Sequence, residues 1–280
     1  MRKTVIITGV DGPAGRCAAA YFRAKGFFVI GTDIRDKITA ETDEYYHVPR
    51  PLEPSYIPAI VSIIRAKSTV LFLPTVTDEL YAVARARAEI EALGCRVFIS
   101  SPEVLDVAGD KLKTARFLEA RDIGVPRTLD GSAPMELVVK ELGLPLLARP
   151  VLSGTEGESV VYISEDEVRG EKREGIVFQE FVPGDEFNVN LFMGEDGWAA
   201  SAVALKKTAA GAERVVRPDV VELAVDASRE IGLTGPLDID IRLRAEGAPV
   251  LLEIRPRLGA HVRQAPEVLD SLLNSLKKGG

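Results

Sequence analysis

The sequence predicts a parallel α/β domain followed by an α+β domain, and three observations carry that expectation. The first hundred or so residues alternate β-branched strands with helical stretches of about 10 to 15 residues, the rhythm of a doubly wound parallel sheet. The second half strings short strands together through PGD and GEDG turns. Near the end, PLDIDIRLRAEGAPVLLEIRPR reads as a hairpin turned at EGAP.

In chain order, TVIITG is a β-branched run ending in glycine, GPAGRCAAAYFRAKG an amphipathic helix closed by Gly26, and FFVIGTD a second strand. The β-α-β unit then repeats, with SYIPAIVSIIRAK as helix, TVLFLPT as strand, DELYAVARARAEIEALG as helix and CRVFIS as strand. This domain is placed at residues 1–108. GDKLKTARFLEARDIGVP then reads as a helix ended by Gly124 and Pro126, LPLLARP as a strand stopped by proline, and SVVYI as another. GIVFQEFVPGDEFNVNLFMGEDGWAASAVAL reads as three strands, and PDVVELAVDASREIGL as a helix before the final hairpin.

Of the 280 residues, 46% are apolar and 28% charged, the balance of a globular chain able to bury a core. The N-terminal apolar run Val5 to Thr8 is too short for a signal peptide or membrane span, so a cytoplasmic protein is expected. Cys17 and Cys95 lie too far apart for metal-ligand spacing, and a disulfide framework is not expected. Two histidines, His47 and His261, do not make a histidine-based metal centre. With a net charge of −7 and basic residues scattered among acidic ones, the chain lacks the footprint of a nucleic-acid binder. A homodimer is the expectation from the prevalence of twofold assemblies.

GVDGPAG leads from the first strand into a helix and Asp33 ends the second strand, which fits a dinucleotide fingerprint. The pattern resembles the extended short-chain dehydrogenase/epimerase family, whose Tyr-x-x-x-Lys lies near mid-chain. Here the one match, Tyr21 to Lys25, falls in the first helix. The glycines read more simply as a tight turn packed against the sheet, and NAD(P) is the disfavoured cofactor.

Charged residues stand at the ends of apolar strands in the second half. Arg149 in PLLARP is placed to hold an oxyanion through its planar fork, or else to pair with a carboxylate. Hairpin pairing brings Asp240 and Glu253 together, with Asp238 on the face of Asp240. Two carboxylates that close on buried strands require a cation between them, and Mg²⁺ with its preference for hard oxygen donors is the natural candidate.

These stretches, in this order, resemble the ATP-grasp superfamily, most closely its carbamoyl-phosphate synthetase large-subunit-like branch. The likeness runs through GDKLKT, PLLARP, the glycine-containing loop after it, QEFVPGDEF, LDIDIRL and LLEIRPR. It implies a Rossmann-like pre-ATP-grasp domain over 1–108 and a two-lobed ATP-grasp domain over 109–280. The small lobe would be 109–175, and the large lobe, with a C-terminal helix, 176–280. Lys111 and Arg149 match the residues that hold ATP phosphates, and Gly154 and Gly157 the phosphate-cradling loop. Gln179 to Val182 match the segment whose backbone meets adenine, and Glu180 and Glu186 the acids near the ribose, although the stretch also reads as strand, PGD turn and strand. Asp240 and Glu253 occupy the metal positions, and Arg257 that of the arginine stabilising the transferred phosphoryl group.

Two departures stand out. Relatives usually carry Asn two residues after the metal-binding Glu, where this chain has Arg255, and the loop SGTEGES carries Glu156 and Glu158. Arg255 either substitutes for one of two metal ions, which we favour and which makes it a catalytic candidate, or pairs with Glu253 and silences the site. Lys206, Lys207 and Arg214 either border the acceptor pocket or belong to a solvated loop. Thr75, Thr77 and Asp78 either face the cleft or cap a helix. The resemblance implies an ATP- and Mg²⁺-dependent ligase that converts a small carboxylate to an acylphosphate for attack by an amine. Alternatives are an ATP-binding protein without turnover and an NAD(P)-dependent oxidoreductase.

Overall fold

The computed structural model of the chain describes residues 2–153, 159–169 and 174–278. The first β-α-β unit consists of β1 (Thr4–Ile7), α1 (Pro13–Ala24) and β2 (Phe28–Asp33), followed by β3 (Glu44–His47). Next come α2 (Tyr56–Lys67), β4 (Thr69–Leu73) and α3 (Leu80–Glu91). The four strands form a parallel sheet in the order β3-β2-β1-β4. CRVFIS, expected as a strand, joins β4 only through an isolated bridge between Leu71 and Arg96. Arg96 alone exchanges backbone hydrogen bonds, with Val70 and Phe72, because the segment then leaves the sheet edge to bury Val97 and Ile99. β3 escaped the sequence reading because EYYH is polar and only half buried.

α4 (Pro102–Ala108) leads to α5 (Lys111–Glu119), and a small antiparallel sheet in the order β5-β8-β6-β7 follows. It is built from β5 (Thr128–Asp130), β6 (Leu146–Pro150), β7 (Val160–Tyr162) and β8 (Ile176–Glu180), with α6 (Met135–Leu142) and α7 (Glu165–Arg169) against it. β8 pairs with β5 and β6, so this sheet runs past the lobe boundary expected at 175/176.

The third sheet has five antiparallel strands in the order β11-β10-β9-β12-β13. Its members are β9 (Glu186–Met193), β10 (Ala199–Thr208), β11 (Gly211–Val215), β12 (Gly235–Leu243) and β13 (Pro249–Arg255). The period-2 alternation of NVNLF, LDIDI and LEIR decides its two faces. Val189, Leu191, Ile239, Ile241 and Ile254 point to α8 (Pro218–Ile231) and close one core. The opposite face carries the polar residues over part of its area, and elsewhere packs Phe192, Val203 and Leu205 against α1 and α9 (Glu267–Lys278). One apolar cluster thus joins β1, α1, α9 and the large sheet, tying the parallel sheet to the antiparallel one. Tyr21 on α1 donates to Asp270 on α9 at 2.5 Å across the same contact.

Candidate active site

Asp110 begins the construction of the site. As N-cap of α5 it accepts hydrogen bonds from the amides of Leu112 and Lys113 at 2.9 and 3.0 Å, which places Lys111 at the first helical position. The chain just after β6 pairs with this helix start, through Lys111 N to Val151 O at 2.9 Å and Ser153 N to Gly109 O at 2.8 Å. Lys111 and Arg149 are therefore brought side by side. Both reach β13. Lys111 Nζ lies 3.3 Å from Glu253 Oε1, and Arg149 Nη2 lies 3.2 Å from Glu253 Oε2. Arg149 also donates to Gln179 Oε1 and Ser159 Oγ, each at 3.2 Å.

The hairpin register is the expected one, with Asp240 opposite Glu253 and Asp238 opposite Arg255. β9 adds a third column, Asn188 beside Asp240 and Asn190 beside Asp238. Asn188 Nδ2 donates to Asp238 at 2.5 Å and to Asp240 at 2.9 Å, and Asn190 Nδ2 donates to Asn188 at 2.5 Å. Arg255 Nη1 meets Asp238 at 3.0 Å and its Nη2 makes a short contact with Asp240, whereas Glu253 lies 3.9 Å away. The cation between the carboxylates in this structure is thus a guanidinium. Its close partners are the two aspartates and not the Glu253 that the silencing alternative named.

Lys207 comes from β10 and contacts Asp240 at 3.0 Å and Glu186 at 2.5 Å, while Glu186 also accepts from Arg242 at 2.9 Å. Lys206 and Arg214 form exposed pairs with Asp185 and Glu267. Glu180 is buried between Arg127, at 2.6 Å, and Arg244, and the carbonyl of buried Val182 accepts from Arg242 at 3.2 Å. Gly154 and Gly157 lie outside the described residues.

Electrostatics follow from these contacts. Burial alone would raise the Asp240 pKa, but Arg255 and Lys207 outweigh it and hold the carboxyl below its usual range. Burial raises Asp238, whose principal cation is Arg255. Burial also works against the Glu253 carboxylate and is overcome by Lys111, Arg255 and Arg149. It pushes Lys111 down, with Glu253 only partly compensating.

Arg257 turns the other way. Its Nε donates to Thr77 Oγ1 at 2.9 Å and its Nη1 to the Leu258 carbonyl at 2.8 Å, tying the loop after β13 to the loop after β4. Thr77 thus faces the cleft, while Thr75 bonds the Thr8 carbonyl at 2.7 Å and Asp78 is exposed. Glu79, wholly buried, caps this turn by accepting from Val76 N at 2.9 Å, Thr8 Oγ1 at 2.5 Å and the Tyr56 hydroxyl. Sequence reasoning missed Glu79, Asn188 and Asn190. The alternation N-V-N facing D-I-D was a legible signal for the asparagines, whereas nothing local marks Glu79.

Residues 172–263 match a family model described as ATP-grasp in the biosynthetic pathway with Ter operon. A D-alanine--D-alanine ligase of Cupriavidus pinatubonensis is 27% identical over 203 residues, covering 61% of each chain. The large chain of carbamoyl phosphate synthase from Rubrobacter xylanophilus is 38% identical over 84 residues, 28% of this chain and 8% of that one. Among solved structures, the L-amino acid ligase of Bacillus licheniformis superposes with a TM-score of 0.73 at 18% identity, over 99% of this chain and 74% of that one. Residues 172–263, less than half of the chain, are thus similar to the ATP-grasp family. The N5-carboxyaminoimidazole ribonucleotide synthetase of Thermotoga maritima shares the ATP-grasp fold at a TM-score of 0.67 and 20% identity, over 92% of this chain and 69% of that one. The chain spans 61% of the length of the D-alanine--D-alanine ligases it matches.

Proposed function

We propose that this chain is an ATP-dependent ligase that phosphorylates a small carboxylate and delivers the acylphosphate to an amine. The observation that supports this most is the convergence of Lys111, Arg149, Asp240, Glu253 and Arg255 from α5, β6, β12 and β13 on one half-buried patch. The substrate carboxylate oxygen attacks the γ-phosphorus and ADP leaves; the amine nitrogen then attacks the acyl carbon, phosphate leaves and the nitrogen gives up a proton. Lys111 and Arg149 neutralise phosphate charge by exchanging Glu253 for phosphoryl oxygens. Arg257, held by Thr77, stabilises the transferred phosphoryl group. Gln179 to Val182 border the base, and Glu186, fixed by Lys207 and Arg242, borders the ribose.

The donor set suits a divalent ion that arrives with phosphate. Asp240 and Glu253 are opposed in register and offer only hard oxygens. Among the described residues no group of three or more acidic, His or Cys side chains is arranged to hold an ion by itself. Asp240 and Glu253 would hold Mg²⁺, which supplies charge neutralisation across the phosphates.

Release of ADP and phosphate from Mg-ATP, measured against pools of carboxylic acids with and without amines, tests the proposal. Acid-dependent ADP release supports it. Tight ATP binding with no release across broad pools would instead support a non-catalytic nucleotide-binding protein, a second reading favoured by the clamp of Arg255 on Asp238 and Asp240.

A further inference from the structure

Among the described residues, the hydrogen bonds of the Arg257 guanidinium go to the Thr77 hydroxyl, from Nε at 2.9 Å, and to the adjoining Leu258 carbonyl, from Nη1 at 2.8 Å. Thr77 is therefore the side chain that aims it. Thr77 opens a single 3₁₀ turn, Thr77–Glu79, between β4 and α3. So short a turn carries little backbone bonding of its own, and its N-cap, Val76, has no side-chain acceptor to close it.

Glu79 closes it instead, reaching back from the third position of the turn. Its carboxyl accepts from the Val76 amide at 2.9 Å, the Thr8 hydroxyl at 2.5 Å and the Tyr56 hydroxyl. Thr8 Oγ1 in turn accepts from the Thr75 amide at 3.0 Å, and Thr75 Oγ1 donates to the Thr8 carbonyl at 2.7 Å. One wholly buried carboxyl thus pins the loop after β4 to the end of β1 and to the start of α2.

Capping alone does not call for this arrangement. Serine or aspartate at the N-cap would close the turn, whereas a carboxyl buried on neutral donors works against its own solvation. Burial raises the Glu79 pKa accordingly. What the reach to Thr8 and Tyr56 adds is a fixed place for Thr77 relative to β1. Burial also lowers the Arg257 pKa, with Arg255 adding to it, while Asp238, Glu253 and Glu79 counter it, so Glu79 lies close enough for its charge to be felt at the guanidinium.

We propose that Glu79 is a positioning residue for Arg257: it sets the Thr77 hydroxyl, and through it the guanidinium, without touching a substrate. This rests on the ligase reading for what Arg257 does, though not for how it is held.

Arginine Nε–H signals in NMR spectra, with that of Arg257 identified by its loss in Arg257→Lys, report this placement without a substrate. In wild type the Arg257 Nε–H is expected to exchange with water about tenfold or more slowly than those of exposed arginines. Glu79→Ala and Thr77→Val are expected to remove most of that protection, and Glu79→Gln, which keeps an oxygen facing Val76 and Thr8, to retain it. Val138→Ala, a truncation in the separate core of the small antiparallel sheet, should destabilise the chain and leave the signal unchanged. Absence of a protected Arg257 signal, undiminished protection in Glu79→Ala or Thr77→Val, or equal loss in Val138→Ala would overturn the inference. If Glu79→Ala does not fold, Tyr56→Phe, which takes one donor from the same carboxyl, replaces it under the same outcomes. In acid-dependent ADP release, Glu79→Ala and Thr77→Val should lower kcat about tenfold or more with the KM for ATP within about threefold, and Glu79→Gln should keep kcat near wild type. An unchanged kcat beside lost protection would also overturn the positioning role. No acid-dependent ADP release from wild type would sink the ligase reading, while the arginine signals still decide how Arg257 is held.

Discussion

Arg255 is a half-buried cation whose guanidinium bridges the two aspartates that β12 buries side by side. Removing one member of such a pair strands a charge, at a typical cost of about 3 kcal/mol. Arg255→Asn is therefore expected to lose roughly that much stability without ligand, as read by urea denaturation, and to regain part of it in millimolar Mg²⁺. A sharp rise in ATP turnover in the same variant would show that wild-type Arg255 holds the site silent. Glu79 has the opposite problem, a carboxyl with neutral donors and no close cation. Burial raises its pKa, and the bonds from Thr8, Tyr56 and Val76 only partly offset this. The native state then binds more protons than the unfolded one, so the Glu79 contribution is full below its unfolded pKa of about 4.3 and declines as pH rises through the folded value. Urea midpoints measured from pH 4 upward should show this decline in wild type and a flatter profile in Glu79→Gln.

Elements turn these residues into a site through registry. β9, β12 and β13 present polar side chains at alternate positions, so one sheet face becomes a grid of Asn188, Asp240 and Glu253 beside Asn190, Asp238 and Arg255. A one-residue slip would send every one of them into the α8 core. The glycine loop before α1 is constrained differently. A Cβ on Gly15 would stand 2.5 Å from the Gly9 carbonyl oxygen and 2.7 Å from Val10 Cα, both backbone atoms that can yield only by moving the loop. Gly15→Ala is expected to destabilise the chain by roughly 1–3 kcal/mol in chemical denaturation. The expectation of a tight packed turn is met by this geometry, and the same glycines line a cavity.

At the scale of the whole molecule, Arg257 ties the last strand of the large antiparallel sheet to the parallel-sheet region, its guanidinium reaching 180 residues back in sequence to Thr77. Glu195 in the β9–β10 turn braces the same assembly by pairing with both Arg87 and Arg96 of the parallel-sheet region. Half-exposed, this triad contributes modestly. Ligand linkage is the stronger lever. Mg-ATP at a hundredfold excess over its dissociation constant should stabilise wild type by about 2.7 kcal/mol, read as a thermal shift, and Lys111→Ala should abolish most of it. Stabilisation by NAD(H) without any from Mg-ATP would reverse the assignment of the nucleotide.

Much of this was written locally. The β-α-β rhythm, the EGAP hairpin and the pairing of Asp240 with Glu253 follow from strand period and a short turn, which neighbouring residues settle among themselves. The strand, PGD turn and strand around Gln179 to Glu186 were legible for the same reason. Charge type was legible too, since basic residues at the ends of apolar strands announce an anion. Which charge meets which was not. Lys207 enters the site while its neighbour Lys206 stays outside, because the pleat of β10 sends successive side chains to opposite faces. Arg255 chooses Asp238 and Asp240 over Glu253, and only the alignment of strands in three dimensions decides that choice. The cavity, too, needed loops from residues 8 to 260 to close around it. Sequence by itself determined the elements and the chemistry available to them, since both depend on near neighbours and side-chain type. Tertiary structure alone decided the partners, because ion pairs and cavities are made by distances between residues that the chain keeps far apart.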